Sequence, residues 1–269
     1  MPHFYDENGE SRHEVIGKTT GKPRPSTIKD AKDNGWYPSV TTILDILAKK
    51  QLEVWKCNQY ALAARRLLAE GTKVHFNTAE KSYLGIVKEE ALQQVDDAAD
   101  LGTKVHEALE KGLQGKDYDK TYDIYVQPTK ALLQTLGVRI LYHELRLVNK
   151  EFGYAGTTDG AFIVEPQGYV GILDFKTCKT VKDEPVDPRS SWPAQIAAYH
   201  ATHYKEIPTA YNNAKGLSIA ISTTEPGRVE AIWYSGEQLE TEWKMFYHLN
   251  EIYKLKTGHD PRNFTATKA

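Results

Sequence analysis

The chain has 269 residues, 40% of them hydrophobic and 26% charged, with 34 Lys and Arg against 36 Asp and Glu. This is an ordinary globular composition, long enough for one elaborated domain or two small ones. A formal charge of −2 excludes a uniformly basic nucleic-acid binder but not a local basic groove, and no apolar run approaches the ~20 residues needed to cross a bilayer.

The polar opening stretch, Met1 to Glu14, resembles neither a secretory signal nor a transit peptide. Cys57 and Cys178 are the only cysteines. They fit a reducing compartment and are too few for a four-cysteine zinc or iron–sulfur site, so a cytoplasmic protein is expected. Residues 1–37 are rich in Gly, Pro, Lys and Ser, which predicts an irregular or weakly stranded segment. Gly17-Lys18-Thr19 looks like the end of a phosphate-binding loop. Arg12, however, stands where that motif needs glycine, and no helical pattern follows.

From Pro38 the pattern turns helical, with Ser39 or a following threonine available as an N-cap. Residues 38–78 read as a helical elaboration in two pieces. A short helix carries Ile43, Leu44, Ile46 and Leu47. A longer one, over 52–70, carries Trp55, Leu62, Leu67 and Leu68 with the basic side chains Lys56, Arg65 and Arg66. Those three are candidate contacts to a DNA backbone, although a solvated helix face is the commoner reason for such residues. Val87, Ala91, Val95, Ala98, Gly102, Val105, Leu109 and Leu113 step by three or four, which predicts a helix over 80–112 with a break allowed at Gly102. His106 projects beside that stripe.

A further helix is expected over 122–136 and a strand over 140–148, on which Glu144 either helps to bind a metal or is simply exposed. Apolar runs at 161–164 and 169–173 flank Glu165-Pro166-Gln167-Gly168 and predict a hairpin. Then come a polar loop over 179–190 and a helix over 192–205, with Gln195 and Tyr199 four apart on one face. Strands over 217–222 and 229–234 form a second hairpin. The last helix is capped by Ser235 and stops near Gly258. His200 and His203 lack a third zinc ligand and read as surface histidines. Gly-Thr-Lys-Val-His occurs at 71–75 and again at 102–106. Only the second copy leads on to the hairpin, and His75 is read as structural.

The chemistry concentrates at the open end of the first hairpin. If Pro166 and Gln167 form its loop, Asp159 sits opposite Asp174; if Gln167 and Gly168 form it, Asp159 opposes Lys176. Either register gathers two carboxylates and a lysine. Side chains alternate along a strand, so Asp174 and Lys176 share a face while Phe175 turns away. Two acids this close call for a cation between them, most simply Mg²⁺ or Mn²⁺. The bland alternative is a surface hairpin with an Asp–Lys pair.

Taken in order, these residues resemble the PD-(D/E)XK nuclease superfamily in its RecB-like exonuclease branch, which includes phage exonucleases and the mitochondrial genome maintenance exonuclease. The matching pieces are Gly102-Thr-x-x-His106 with Glu107 and Glu110 behind it, Gly156-Thr-Thr-Asp159, Asp174-Phe175-Lys176, and Gln195-x-x-x-Tyr199. They span about 100–199, and the flanks match nothing.

The resemblance implies an α/β fold in which a central mixed β-sheet is flanked by helices, a restriction-endonuclease-like core placed at 79–269. It implies metal ligation by His106, Asp159, Asp174 and the Phe175 carbonyl, with Lys176 catalytic. Gln195 and Tyr199 would support the site by meeting DNA or orienting the lysine. The cofactor would be one or two Mg²⁺ or Mn²⁺ ions, with no iron–sulfur cluster and no nucleotide.

The expected activity is a metal-dependent DNA exonuclease on single-stranded or frayed ends, leaving 5′-phosphate and 3′-hydroxyl. Residues 40–73, with Trp55, would form a wall or arch over the strand, and aromatics there would stack unpaired bases. No complete Walker A motif or helicase portion is expected, so either a partner helicase or recombination protein opens the strands or the DNA is already single-stranded, in the host cytoplasm if the chain is phage-encoded. The rivals are a repair or structure-selective endonuclease of the same fold and a DNA-binding or assembly module with a dead site. An intact pair of acids beside a lysine argues against the last.

Overall fold

The computed structural model describes residues 2–47, 50–71, 78–209, 211 and 213–265. The N-terminal segment is built from short pieces: β1 (Phe4–Tyr5), β2 (Glu14–Ile16), β3 (Pro23–Pro25), α1 (Ile28–Asn34), β4 (Tyr37–Pro38) and α2 (Val40–Leu44). β1 pairs antiparallel with β4, and β2 with β3. Local chemistry sets the helix ends. Thr27 and Asp30 form a capping box at the start of α1, and the Ser39 hydroxyl accepts from the Thr42 amide at the start of α2.

Two long helices follow, α3 (Lys50–Glu70) and α4 (Glu80–Leu113), and then, beyond a short 3₁₀ turn, α5 (Asp123–Thr135). The apolar runs beyond Gly137 become β5 (Val138–Asn149), β6 (Tyr154–Val164) and β7 (Tyr169–Cys178). They continue as α6 (Ser191–His203), β8 (Lys215–Ser222), β9 (Val229–Tyr234) and α7 (Gly236–Thr257). Ser235 and Gln238 cap α7 in a box, and Gly258 closes it at φ 59°. Among the described residues, no helix is long and apolar enough to cross a membrane.

The chain divides into two compact units, residues 47–107 and residues 1–46 with 108–269. These boundaries differ from those expected at 37/38 and 78/79. The helical stripe runs through Gly102 without a break, so α4 crosses a boundary that the sequence pattern did not mark. The helical unit has a small core of Ala63, Leu67, Val87 and Ala91, with Ala64, Tyr83 and Ile86 at its margin. Arg66 and Glu90 pair across its helices at 3.4 Å. Its first Gly-Thr-Lys-Val-His copy, apart from Gly71, lies outside the described residues, as do 48–49 of the expected arch.

The second unit is a mixed α/β structure around one five-stranded sheet in the order β5-β6-β7-β8-β9. Every pairing is antiparallel except β7 with β8, which run parallel because α6 carries the chain across between them. β8 is buried at every residue after Lys215; a strand covered on both faces needs helices on both. α6 and α7 pack against β8, and α5 against β5, β8 and β9. Leu173, Leu217, Ile219 and Ile221 are fully buried in the resulting core.

The β6–β7 ladder runs from Val164↔Tyr169 to Gly160↔Leu173. Of the two registers the turn allowed, this is the one in which Asp159 and Asp174 are the next facing pair.

Candidate active site

At that point the two strands part. β6 stays paired with β5 back to Tyr154, while β7 continues with β8 through Lys176↔Ala220 and Cys178↔Ser222. Backbone groups freed by the split need partners, and β6 side chains provide them. The Thr158 hydroxyl donates to the Leu173 carbonyl at 3.1 Å, and Asp159 Oδ2 accepts from the Phe175 amide at 2.5 Å. Asp159 therefore spans the mouth of the fork.

Asp174 is only 4% exposed. Burying a carboxylate is costly unless charge and hydrogen bonds compensate, and the Lys176 ammonium pairs with its Oδ2. Lys176 Nζ also donates to Gln195 Oε1 at 2.8 Å, and Gln195 Nε2 meets the Tyr199 hydroxyl at 3.3 Å. The spacing explains the chain of contacts. Residues two apart on β7 share a face, residues four apart on α6 share another, and the crossover brings the two together. Phe175, between them, is buried in the core at 4% exposure.

Burial drives the Tyr199 phenol well above its ordinary range, and the nearby Asp174 and Asp159 charges push the same way against the hydrogen bond with Gln195. Its hydroxyl keeps its proton at neutral pH. Gly156 explains the glycine of Gly-Thr-Thr-Asp. A Cβ built there would meet Tyr199 Cε1 at 2.7 Å and its hydroxyl at 2.9 Å. The ring lies directly on the strand backbone.

The α/β unit thus brings together Asp159, Asp174, Lys176, Gln195 and Tyr199. His106, half-buried on α4, belongs to the helical unit. So do Lys56, Arg65 and Arg66 on α3. Lys56 pairs with Glu53 at 3.5 Å, Arg66 with Glu90, and Arg65 is exposed. Glu144 is exposed on β5 at φ 49°, where the ladder passes from His143↔Gly160 to Leu145↔Thr158. That position falls opposite Asp159, while the register shift of the ladder lies earlier, between Ile140 and Tyr142.

Among the described residues, no group of three or more His, Cys, Asp and Glu side chains is arranged to hold a metal ion. A hard cation does not require one. Mg²⁺ keeps several waters and is commonly bound by one or two carboxylates plus substrate phosphates. Asp159 and Asp174, facing across the fork, offer that donor chemistry. Asp159 Oδ2 accepts from the Phe175 amide.

One side-chain reading from sequence needs revision. His200, expected at the surface, is 4% exposed. Its helix is buried from Ala194 to Ala201 because it is wedged between the sheet and α7. The sequence also gave no sign of Tyr5, whose hydroxyl lies 3.3 Å from Thr157 Oγ1, two residues before Asp159. A two-residue strand has no periodicity to announce it.

Comparison with protein-family models gave no match, and comparison with curated protein sequences gave none either.

Proposed function

We propose that this chain is a metal-dependent deoxyribonuclease of the PD-(D/E)XK type, with a restriction-endonuclease-like core, acting as an exonuclease on single-stranded or frayed DNA ends. The observation that carries the reading is the pair of buried Asp174 and half-buried Lys176 at the fork of β6 and β7, beside Asp159 and tied to Gln195 and Tyr199. A structural ion pair has no need of a second carboxylate at the next facing position.

Asp159 and Asp174 would hold Mg²⁺ or Mn²⁺, with the Phe175 carbonyl as a further proposed ligand. When bound, the ion supplies Lewis acidity and neutralises phosphate charge. Hydrolysis adds water across the P–O3′ bond, leaving a 5′-phosphate and a 3′-hydroxyl. Lys176 brings its ammonium to the non-bridging oxygens, where charge develops. Asp174 pairs with that ammonium and Gln195 fixes its direction. The Tyr199 phenol, held neutral, orients the Gln195 amide and does not act as a base.

The test is a Mg²⁺ and Mn²⁺ titration of cleavage on end-labelled single strands, blunt duplexes and closed circles. Metal-dependent shortening from an end with circles intact is expected. Cut circles would replace the exonuclease with an endonuclease, and no cleavage of any substrate would leave a binding module. Mn²⁺ should also raise the melting temperature of the wild type and not that of an Asp159→Asn, Asp174→Asn double variant.

A further inference from the structure

When β7 leaves β6, it vacates the β6 edge from Tyr154 to Asp159. That edge is not left to solvent. Tyr154, Ala155, Gly156 and Thr158 are all buried. The N-terminal segment meets it instead. Ser39 makes a parallel bridge to Ala155, and Tyr5, Tyr37 and Ala155 form one buried cluster. The Tyr5 hydroxyl reaches Thr157 Oγ1 at 3.3 Å.

Tyr5 is itself held from several sides. It pairs with Tyr37 across β1–β4 and bridges to Ser11, and the Arg12 amide donates to the Phe4 carbonyl at 2.8 Å. His13 sets its ring edge-on to Tyr5 with centroids 5.2 Å apart. The segment is anchored further out by Glu10, which pairs with Arg146 of β5 at 2.6 Å. Tyr5 is 7% exposed, as buried as a core residue.

Thr157 adjoins Gly156, the residue on which the Tyr199 ring rests. From Tyr199 the contacts continue through Gln195 to Lys176. We propose that Tyr5 is a positioning residue of the site. Its hydroxyl latches Thr157, seats the Gly156 backbone against Tyr199, and so sets where Gln195 holds the Lys176 ammonium. Residues 2–46 are then a wall of the active unit and not an appendage to it. The consequence for cleavage rests on the nuclease reading; the latch itself does not.

The variants are Tyr5→Phe, which keeps the ring and its packing, Thr157→Val, which keeps the shape, and the two combined. Two measurements are made on each. The first is steady-state cleavage of end-labelled DNA. Each single variant should lose about three- to tenfold in kcat with KM unchanged, and its melting temperature should fall by no more than about 2–4 °C, as expected for one hydrogen bond. The double variant should lose no more than either single one, because both remove the same contact. The second is the side-chain ¹⁵N signal of the Lys176 ammonium, identified by its loss in Lys176→Arg. It should shift in Tyr5→Phe and in Thr157→Val.

An unmoved Lys176 signal overturns the proposal whatever the rate does, and so do additive losses in the double variant. If the wild type cuts no DNA, the nuclease reading fails. The lysine signal alone then decides whether the latch exists.

Discussion

Two neighbouring strand pairs of the same sheet handle charge in opposite ways. β8 and β9 stay paired along the whole of β9, from Gly216↔Tyr234 to Ile221↔Val229. The turn between them closes on itself electrically. Arg228 pairs with Glu225 and Glu230, and it also donates to the Val181 and Glu184 carbonyls of the loop after β7. β6 and β7 part instead at the step where two carboxylates face each other, and their compensation comes from elsewhere: the Phe175 amide for Asp159, Lys176 for Asp174. A turn that carries both signs within a few residues is scaffold. At the fork each carboxylate depends on a different partner, one a backbone amide and the other an ammonium.

The largest effects should fall at the fork. Asp174→Asn should reduce cleavage to background while the protein stays folded. Lys176→Ala should lower kcat about 10²–10³-fold, the usual cost of removing one preorganised donor from a developing charge. Lys176→Ala also leaves Asp174 buried without its ammonium, so Mn²⁺ should raise the melting temperature of that variant more than that of the wild type. Undiminished cleavage in either variant would erase the distinction between fork and scaffold.

Gly156→Ala should come next. Its methyl would overlap Tyr199, whose hydroxyl cannot give way without leaving Gln195. Overpacking of this kind costs about 1–3 kcal/mol. We expect reduced stability in urea together with a lower cleavage rate, and partial recovery of stability when Tyr199→Leu is added. A Gly156→Ala protein that unfolds and cleaves like the wild type would mean that the ring does not rest on the strand.

Much of this arrangement was legible because it is local. Periodicity of three or four residues marked the helices, hydroxyls at Ser39 and Ser235 marked two of their starts, and alternation placed Asp174 and Lys176 on one face. The hairpin register was not decided, because Pro-Gln-Gly admits two loops and only the packed sheet chooses between them. The role of the N-terminal segment could not be read at all. Tyr5 and Thr157 lie 152 positions apart, and strands of two residues carry no pattern. His200 was misread for a related reason. A helix buried nearly all round lacks the polar stripe that would tell its inner face from its outer one. The unit boundary inside α4 left no trace because helical hydrogen bonding runs straight across it.

A smaller effect separates scaffold from site at the β8–β9 turn. Arg228→Ala should loosen the loop from Val181 to Glu184 and lower the melting temperature by a few degrees, while kcat stays close to that of the wild type. Loss of cleavage as deep as in Lys176→Ala would break the comparison, since the turn would then belong to the chemistry.

The subtlest contrast is in the response to acid. His200 lies beside Tyr199 on the helix that covers the fork, and burial pushes its imidazole down to about 4 against weaker help from the Glu206 carbonyl. A folded pKa below the unfolded value near 6.5 means that stability is complete above about pH 6.5. It is lost as pH falls toward 4, because the unfolded chain takes up a proton that the fold refuses. His13, half-buried and stacked on His3 in the N-terminal segment, is also pushed down to about 4, mainly by desolvation, and acts in the same direction.

The β8–β9 turn follows another rule. Glu225 is held below the usual carboxylate range by hydrogen bonds from Thr180 and Arg228, so its contribution persists until pH drops below about 4.5. Hydrogen exchange measured from pH 7 to pH 4 should show α6 amides losing protection before those of β8 and β9. His200→Leu should shrink that early loss, since it removes one of the imidazoles that burial holds down and at most about 1.4 kcal/mol per pH unit with it. Simultaneous loss in both regions would mean that the sheet opens as one piece, and that the fork is no weaker toward acid than the turn beside it.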